Sequence, residues 1–117
     1  MQILIQGTPK FNKYEIFIHA LGKVLRTKEE DDKQIIVYTL GPTNVNAMIH
    51  EFFNISERTL KSNGIRPKII KVTRGWAKDN MSKLDHFIYL CNPKESLSEL
   101  AEMADNKEKP DLGIFRY

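Results

Sequence analysis

The stretch "IQGTPKFNKYEIFIHALGKVL", residues 5–25, decides the fold. A short apolar strand over 2–6 ends at Gly7, and Gly-Thr-Pro-Lys follows. From Lys13 to Arg26, apolar residues fall at Tyr14, Phe17, Ile18, Leu21, Val24 and Leu25, which is the spacing of a helix with one buried stripe. A strand that turns into a helix through such a loop is where α/β proteins hold phosphates and nucleotides. Two readings of the loop stand side by side. Thr8 and Lys10 grip an anion, or Gly7 supplies a bend and Pro9 fixes φ in a plain connecting turn.

Working outward, "QIIVYTL" at 34–40 is the near-continuous β-branched run of a strand covered on both faces, and it stops at Gly41-Pro42. Val45, Met48, Ile49, Phe52 and Phe53 then repeat at helical spacing, with the helix continuing or restarting through Ser56–Ser62. Asn63-Gly64 ends it, glycine being suited to a left-handed cap. "PKIIKV" at 67–72 and "HFIYLC" at 86–91 read as strands, with a short irregular or helical piece between them. "SLSELAEMAD" at 96–105 is a helix, and "DLGIFRY" is an edge strand or a tail. Strands alternating with helices require a parallel sheet between helical layers. The expected architecture is a single α/β domain over 1–117, a Rossmann-like three-layer α/β/α sandwich with a mainly parallel sheet of four to five strands.

The chain has 117 residues, 41% of them hydrophobic, which suits one core. No apolar run approaches the ~20 residues that cross a bilayer, and "MQILIQG" lacks the basic start of a signal peptide. The lone Cys91 excludes an internal disulfide and a multi-cysteine zinc site. A cytoplasmic protein without membrane contact is expected. Net charge is only +3, but it is unevenly spread. Arg58, Lys61, Arg66, Lys68, Lys71, Arg74 and Lys78 come without an intervening acid, and acids dominate after Glu95. The basic segment is either a surface for an acidic partner or a solvated face.

"GTPKFNKYEIFIHALGKVL" resembles the Gly-Ser-Arg-x-Phe-x-Asp-Tyr signature that opens YspA-like proteins of the SLOG superfamily, with Gly7, Phe11 and Tyr14 at its Gly, Phe and Tyr. "IIVYTLGPTNVNAM" stands at a strand followed by a Gly-Gly-Ala-x-Gly-Ala-Asp loop, "RGWAKDNM" at a tryptophan and a later Arg-Asn…Met, and "PKESLSEL" at a Gly-Gly-x-Gly-Thr-x-x-Glu motif with Ser96 and Glu99 at its Thr and Glu. The resemblance spans about the whole chain. It implies a Rossmann-like fold and a nucleotide-derived ligand over Gly7, Thr8, Lys10, Gly41, Thr43, Asn44, Asn92, Lys94, Ser96 and Glu99.

The departures point the other way. Of the second glycine-rich loop only Gly41 survives; Pro42 removes a donor, Val45 adds a branched side chain, and Asn46 replaces a carboxylate. Pro93, Lys94 and Glu95 stand where glycines of the last loop would be. Bare backbone amides are what hold a phosphate closely, so the scaffold is expected to be kept and a tight phosphate cradle lost.

Each candidate also has a local explanation. Ser96 and Glu99 form a capping box before an apolar helical run. Arg74, Trp76, Lys78 and Asn80 form a basic loop around the single tryptophan, able to stack a base or dock a protein, or else Trp76 covers the core edge. His19, His50 and His86 lack the spacing of a zinc site or triad, and Cys91 reads as a core thiol. With no catalytic set evident, the reading leans away from an enzyme and expects no cofactor and no metal.

The functional expectation is a non-catalytic accessory or regulatory binding protein with a protein partner. The alternatives are a nucleotide-like small molecule at the strand ends, or nucleic acid along 58–78 contacted by Arg66, Lys68, Arg74, Trp76, Lys78 and Asn80. A homodimer through Phe52, Phe53 or Leu60 is a further expectation.

Overall fold

The computed structural model describes residues 1–107 and 109–116. Five strands, β1 (Gln2–Gly7), β2 (Gln34–Thr39), β3 (Arg66–Lys71), β4 (His86–Cys91) and β5 (Asp111–Arg116), form one sheet in the order β3-β2-β1-β4-β5. Every neighbouring pair is parallel. This is the Rossmann-like α/β arrangement expected from the alternation of elements. "DLGIFR" is an edge strand, and Tyr117 lies outside the described residues.

The helices are α1 (Tyr14–Leu25), α2 (Thr43–Ile55), α3 (Glu57–Ser62), α4 (Arg74–Asn80) and α5 (Glu99–Asp105), with a 3-10 turn over Met81–Lys83. The chain steps from β1 to β2 to β3 in one direction, then returns past β1 to add β4 and β5. Right-handed crossovers therefore put the first three helices on one face and the last two on the other. The two apolar layers match. Ile3, Ile5, Ile35, Val37, Ile88 and Leu90 pack with Phe17, Leu21, Val45, Ile49 and Phe53. On the opposite face Leu4, Tyr38, Phe87 and Tyr89 pack with Ala77, Met81, Leu100 and Ala104.

Local chemistry sets the ends of these elements. Phe17, Ala20, Leu21 and Val24 give α1 its buried stripe. The helix after β2 restarts at Ser56, and α3 ends in a Schellman motif: the Gly64 amide donates to the Lys61 carbonyl at 3.0 Å and the Ile65 amide to the Leu60 carbonyl at 2.9 Å. Gly64 sits at φ +68°, in the left-handed region that glycine occupies freely.

Three expectations change. Residues 74–80, expected as a basic loop within an irregular or helical piece, take the helical alternative as α4, whose start is capped by Thr73 Oγ1 accepting from the Trp76 amide at 3.1 Å. The last helix begins at Glu99 rather than near Ser96, because the buried positions Leu100, Ala101 and Ala104 phase from there. Its cap is Ser98, whose Oγ accepts from the Ala101 amide at 3.1 Å, so Ser96 and Glu99 form no capping box. Phe53 is only 6% exposed and belongs to the core, while Phe52 and Leu60 pack half-buried against it, so Phe53 presents no surface to a second copy.

No helix among the described residues is long and apolar enough to cross a membrane.

Candidate functional site

The chain reverses its direction of strand addition between β1 and β4. At that point the loops leaving the two strands diverge to opposite faces and open a crevice over the carboxyl ends. A cleft of about 410 Å³ lies there, lined by Gln6 to Pro9 at the end of β1, Leu40 to Pro42 after β2, Val72 to Arg74 between β3 and α4, Tyr89 from β4, and Ser98. It continues into a second recess of about 360 Å³ between α4 and α5, bounded by Gln6, Arg74, Gly75, Lys78, Ser98, Glu99 and Leu100.

Several backbone amides at this crest are turned inward. The Gly7 amide donates to the Gly41 carbonyl at 3.1 Å and the Thr8 amide to the Leu90 carbonyl at 2.9 Å, clamping the β1 exit to both neighbouring strands. The Gly41 amide donates to Thr39 Oγ1, which itself donates to Asn46 Oδ1. In the loop after β4, the Lys94 amide donates to Asn92 Oδ1 at 2.9 Å and the Glu95 amide to the Asn92 carbonyl at 3.2 Å. At the β1 exit, at Gly41 and in the loop after β4, an anion meets amides that already have acceptors.

Gly7 is a glycine for packing. A Cβ at this position would lie 2.6 Å from Val45 Cγ2, so the close approach of α2 to the end of β1 excludes any side chain. Its φ is not in the left-handed region, which removes the bend as its reason. Gly41 is the conformational glycine, at φ +89°.

Several expected ligand residues have structural duties. Asn44 Nδ2 donates to the Phe11 carbonyl, tying the start of α2 to the β1–α1 loop. Asn92 Nδ2 donates to Glu95 Oε1. Lys10, Thr43 and Ser96 are exposed, and with Asn44, Asn92 and Lys94 they lie outside the lining of the cleft. Glu99 pairs with Lys78 at 2.7 Å. The Lys78 hydrogen bond and charge, with Arg74 adding, hold its carboxyl below the usual range. Both partners are well exposed, so the pair adds little stability.

What the cleft does present is side-chain chemistry. Thr8 is 7% exposed, and its Oγ1 has no hydrogen-bond partner among the described residues. An unpaired buried hydroxyl costs about 1–3 kcal/mol. Gln6 Oε1 accepts from Ser98 Oγ at 2.7 Å, and Arg74 stands on the wall common to both recesses. Gln6, Thr73, Tyr89 and Ser98 were not singled out by the sequence reading. The signal for Ser98 was available in the phase of Leu100, Ala101 and Ala104; Gln6 and Tyr89 carry no local mark.

Away from the cleft, Trp76 stacks on Tyr38 with ring centroids 4.4 Å apart and planes tilted by 35°, so it covers the sheet. Asn80 Nδ2 donates to the Trp76 carbonyl at 2.8 Å. Burial pushes the Cys91 thiol upward, with Arg116 opposing and Glu95 adding to the rise, which favours the unreactive thiol. His86 Nε2 meets Thr27 Oγ1 at 3.1 Å and His19 packs edge-on against Phe115, each in a separate setting. Among the described residues no three His, Cys, Asp or Glu side chains cluster as metal ligands.

Comparison with family models, with curated proteins and with solved structures returned no match. The functional reading therefore rests on the Rossmann-like fold and on the chemistry of these surfaces.

Proposed function

We propose that this chain is a non-catalytic binding protein that acts by contacting a macromolecular partner of acidic character. One observation carries the reading. Arg58, Arg66, Lys68 and Lys71 have no carboxylate within ion-pair distance among the described residues, whereas Lys61 and Lys78 are matched internally by Glu57 and Glu99. The unmatched cations lie on α3 and on β3, the strand at one border of the sheet. A set of cations gathered at one border and left without internal partners steers and orients an acidic surface. The resemblance to SLOG-type proteins with degraded loops supports the same reading, since it keeps a binding scaffold without a reaction.

The test is capture of partners by the purified chain at low salt, followed by a salt gradient. A stoichiometric protein released by rising ionic strength is expected. Recovery of no such protein, or of one indifferent to salt, would overturn the proposal.

Thr8 favours a second reading, in which a small polar molecule occupies the cleft. A ligand donating to or accepting from Thr8 Oγ1, with Arg74 facing any anionic group, would relieve the one buried side-chain nitrogen or oxygen left unpaired among the described residues. Thermal shift against nucleotides and ADP-ribose derivatives tests it. A rise in midpoint that disappears in Thr8→Val supports the cleft, and no shift at millimolar ligand excludes it.

A further inference from the structure

The two helical layers are unequal. Helices of 12, 13 and 6 residues cover one face of the sheet, and two of only 7 residues cover the other. The shortfall falls over β2 and β3. On β2, Ile35 and Val37 face the fuller layer and are 1% and 0% exposed, while Ile36, facing the other way, remains half-buried. The register places Lys68 beside Ile36 and Ile70 beside Tyr38, so Arg66, Lys68 and Ile70 share that thinly covered face. Trp76, lying on the Tyr38 ring, forms its wall on the side of α4. The surface is therefore an apolar floor of Ile36 and Ile70, an aromatic side, and two unmatched cations along the outer rim.

The dimensions fit one kind of guest. Two adjacent strands span ~10 Å, the diameter of an α-helix, and a six-residue strand runs ~20 Å, the length of about 13 helical residues. An apolar strip of Ile36 and Ile70, with Arg66 and Lys68 on the same face, asks for a helix that brings a narrow apolar stripe beside an acidic flank. The neighbouring edge is blunted against strand addition. Because the Arg66 amide donates inward to the Lys33 carbonyl at 2.9 Å, Pro67 takes the next, outward-facing position, where its missing N–H deprives the border of a donor. Lys71 adds charge at the same border.

Resting on the macromolecular reading above, we infer that the face formed by Ile36, Ile70, Lys68, Arg66 and Trp76 receives an amphipathic helix of a partner, its apolar stripe on the isoleucines and its acidic flank against Arg66 and Lys68. The guest would complete the thinner layer as a third helix.

The test uses the full chain and three probes: a helical peptide of about 14 residues with a leucine stripe and glutamates beside it, the same peptide with lysines for glutamates, and a single-stranded oligonucleotide of similar length. Emission of Trp76, the single tryptophan, reports contact. The glutamate peptide is expected to bind at least tenfold tighter than the lysine peptide and to shift Trp76 emission. The variant R66E/K68E is expected to reverse that preference, and R66Q/K68Q to abolish it. Equal affinity for both peptides, binding without a change at Trp76, tighter binding of the oligonucleotide, or self-association that blocks the peptide would each overturn the inference. A captured protein partner that R66E/K68E retains undiminished would keep the broader reading and remove this face from it.

Discussion

Gly7 and Val45 touch so closely that a methyl group on the former would sit 2.6 Å from Cγ2 of the latter. The exit of β1 and the first turn of α2 are thereby locked together, and the Gly7 amide's bond to the Gly41 carbonyl holds the same junction. Gly7→Ala is expected to destabilise the protein by about 1–3 kcal/mol, the usual cost of overpacking. In a Val45→Ala background the same change is expected to cost distinctly less, because the clashing methyl is gone. Urea denaturation of the four proteins measures the coupling, and equal costs in both backgrounds would refute the packing role.

Ser96 and Ser98 separate the sequence motif from the actual cap. Ser98→Ala removes both the bond to the Ala101 amide and the link to Gln6, and is expected to lower stability by about 1 kcal/mol or somewhat more. Ser96→Ala removes an exposed hydroxyl and is expected to change stability by less than about 0.5 kcal/mol. Thermal unfolding distinguishes them, and the reverse ranking would restore the S-x-x-E capping box.

Thr8→Val keeps shape and deletes the unpaired hydroxyl. In the absence of any ligand the variant is expected to be at least as stable as the parent, by up to about 1 kcal/mol. A loss of that size instead would mean that the hydroxyl is satisfied.

Two aspartates contribute to the acid limb of stability. The N-terminal ammonium, at 2.8 Å, holds the Asp32 carboxyl low. At Asp85 burial opposes ionisation, but the Gln2 amide at 2.7 Å and Lys109 at 3.2 Å outweigh it, so this carboxyl is lowered too. A lowered carboxyl contributes stability that is complete above its unfolded value, about 3.9 for Asp, and is lost as pH falls through the folded value. Urea midpoints are therefore expected to fall below about pH 4. Asp85→Asn, which keeps an acceptor for Gln2, is expected to start lower at neutral pH and to decline less on acidification. A parallel decline would exclude Asp85 as a source.

Cys91 is buried and its thiol is held in the neutral form. Reaction with a disulfide reagent is expected to be slow in the native protein and to become rapid above the urea midpoint. Fast native labelling would contradict the burial of β4.

The fold was legible because periodicity is a local property. The near-continuous apolar runs at 34–40 and 86–91 and the stripes at Phe17–Val24 and Val45–Phe53 belong to elements whose burial they describe directly. The cleft residues were harder to find. Gln6 and Tyr89 acquire meaning only when β1 and β4 become neighbours, a pairing between residues more than eighty positions apart. Arg74 and Trp76 were visible, but their helix stood only as one of two alternatives: seven residues rich in polar side chains carry one fully buried position, Ala77, which is too little for a period.

The adjacency of β1 and β4 also governs how the molecule can be divided. A cut between Val72 and Thr73 assigns β1–β3 with α1–α3 to one piece and α4, β4, α5 and β5 to the other. Each piece would then expose an apolar strand that is interior in the intact sheet, with Ile3, Leu4 and Ile5 on one side of the break and Phe87 to Leu90 on the other. Fragments so made are cohesive by construction. A two-part complementation reporter built at that joint would need its halves weakened before it could register anything but its own reassembly.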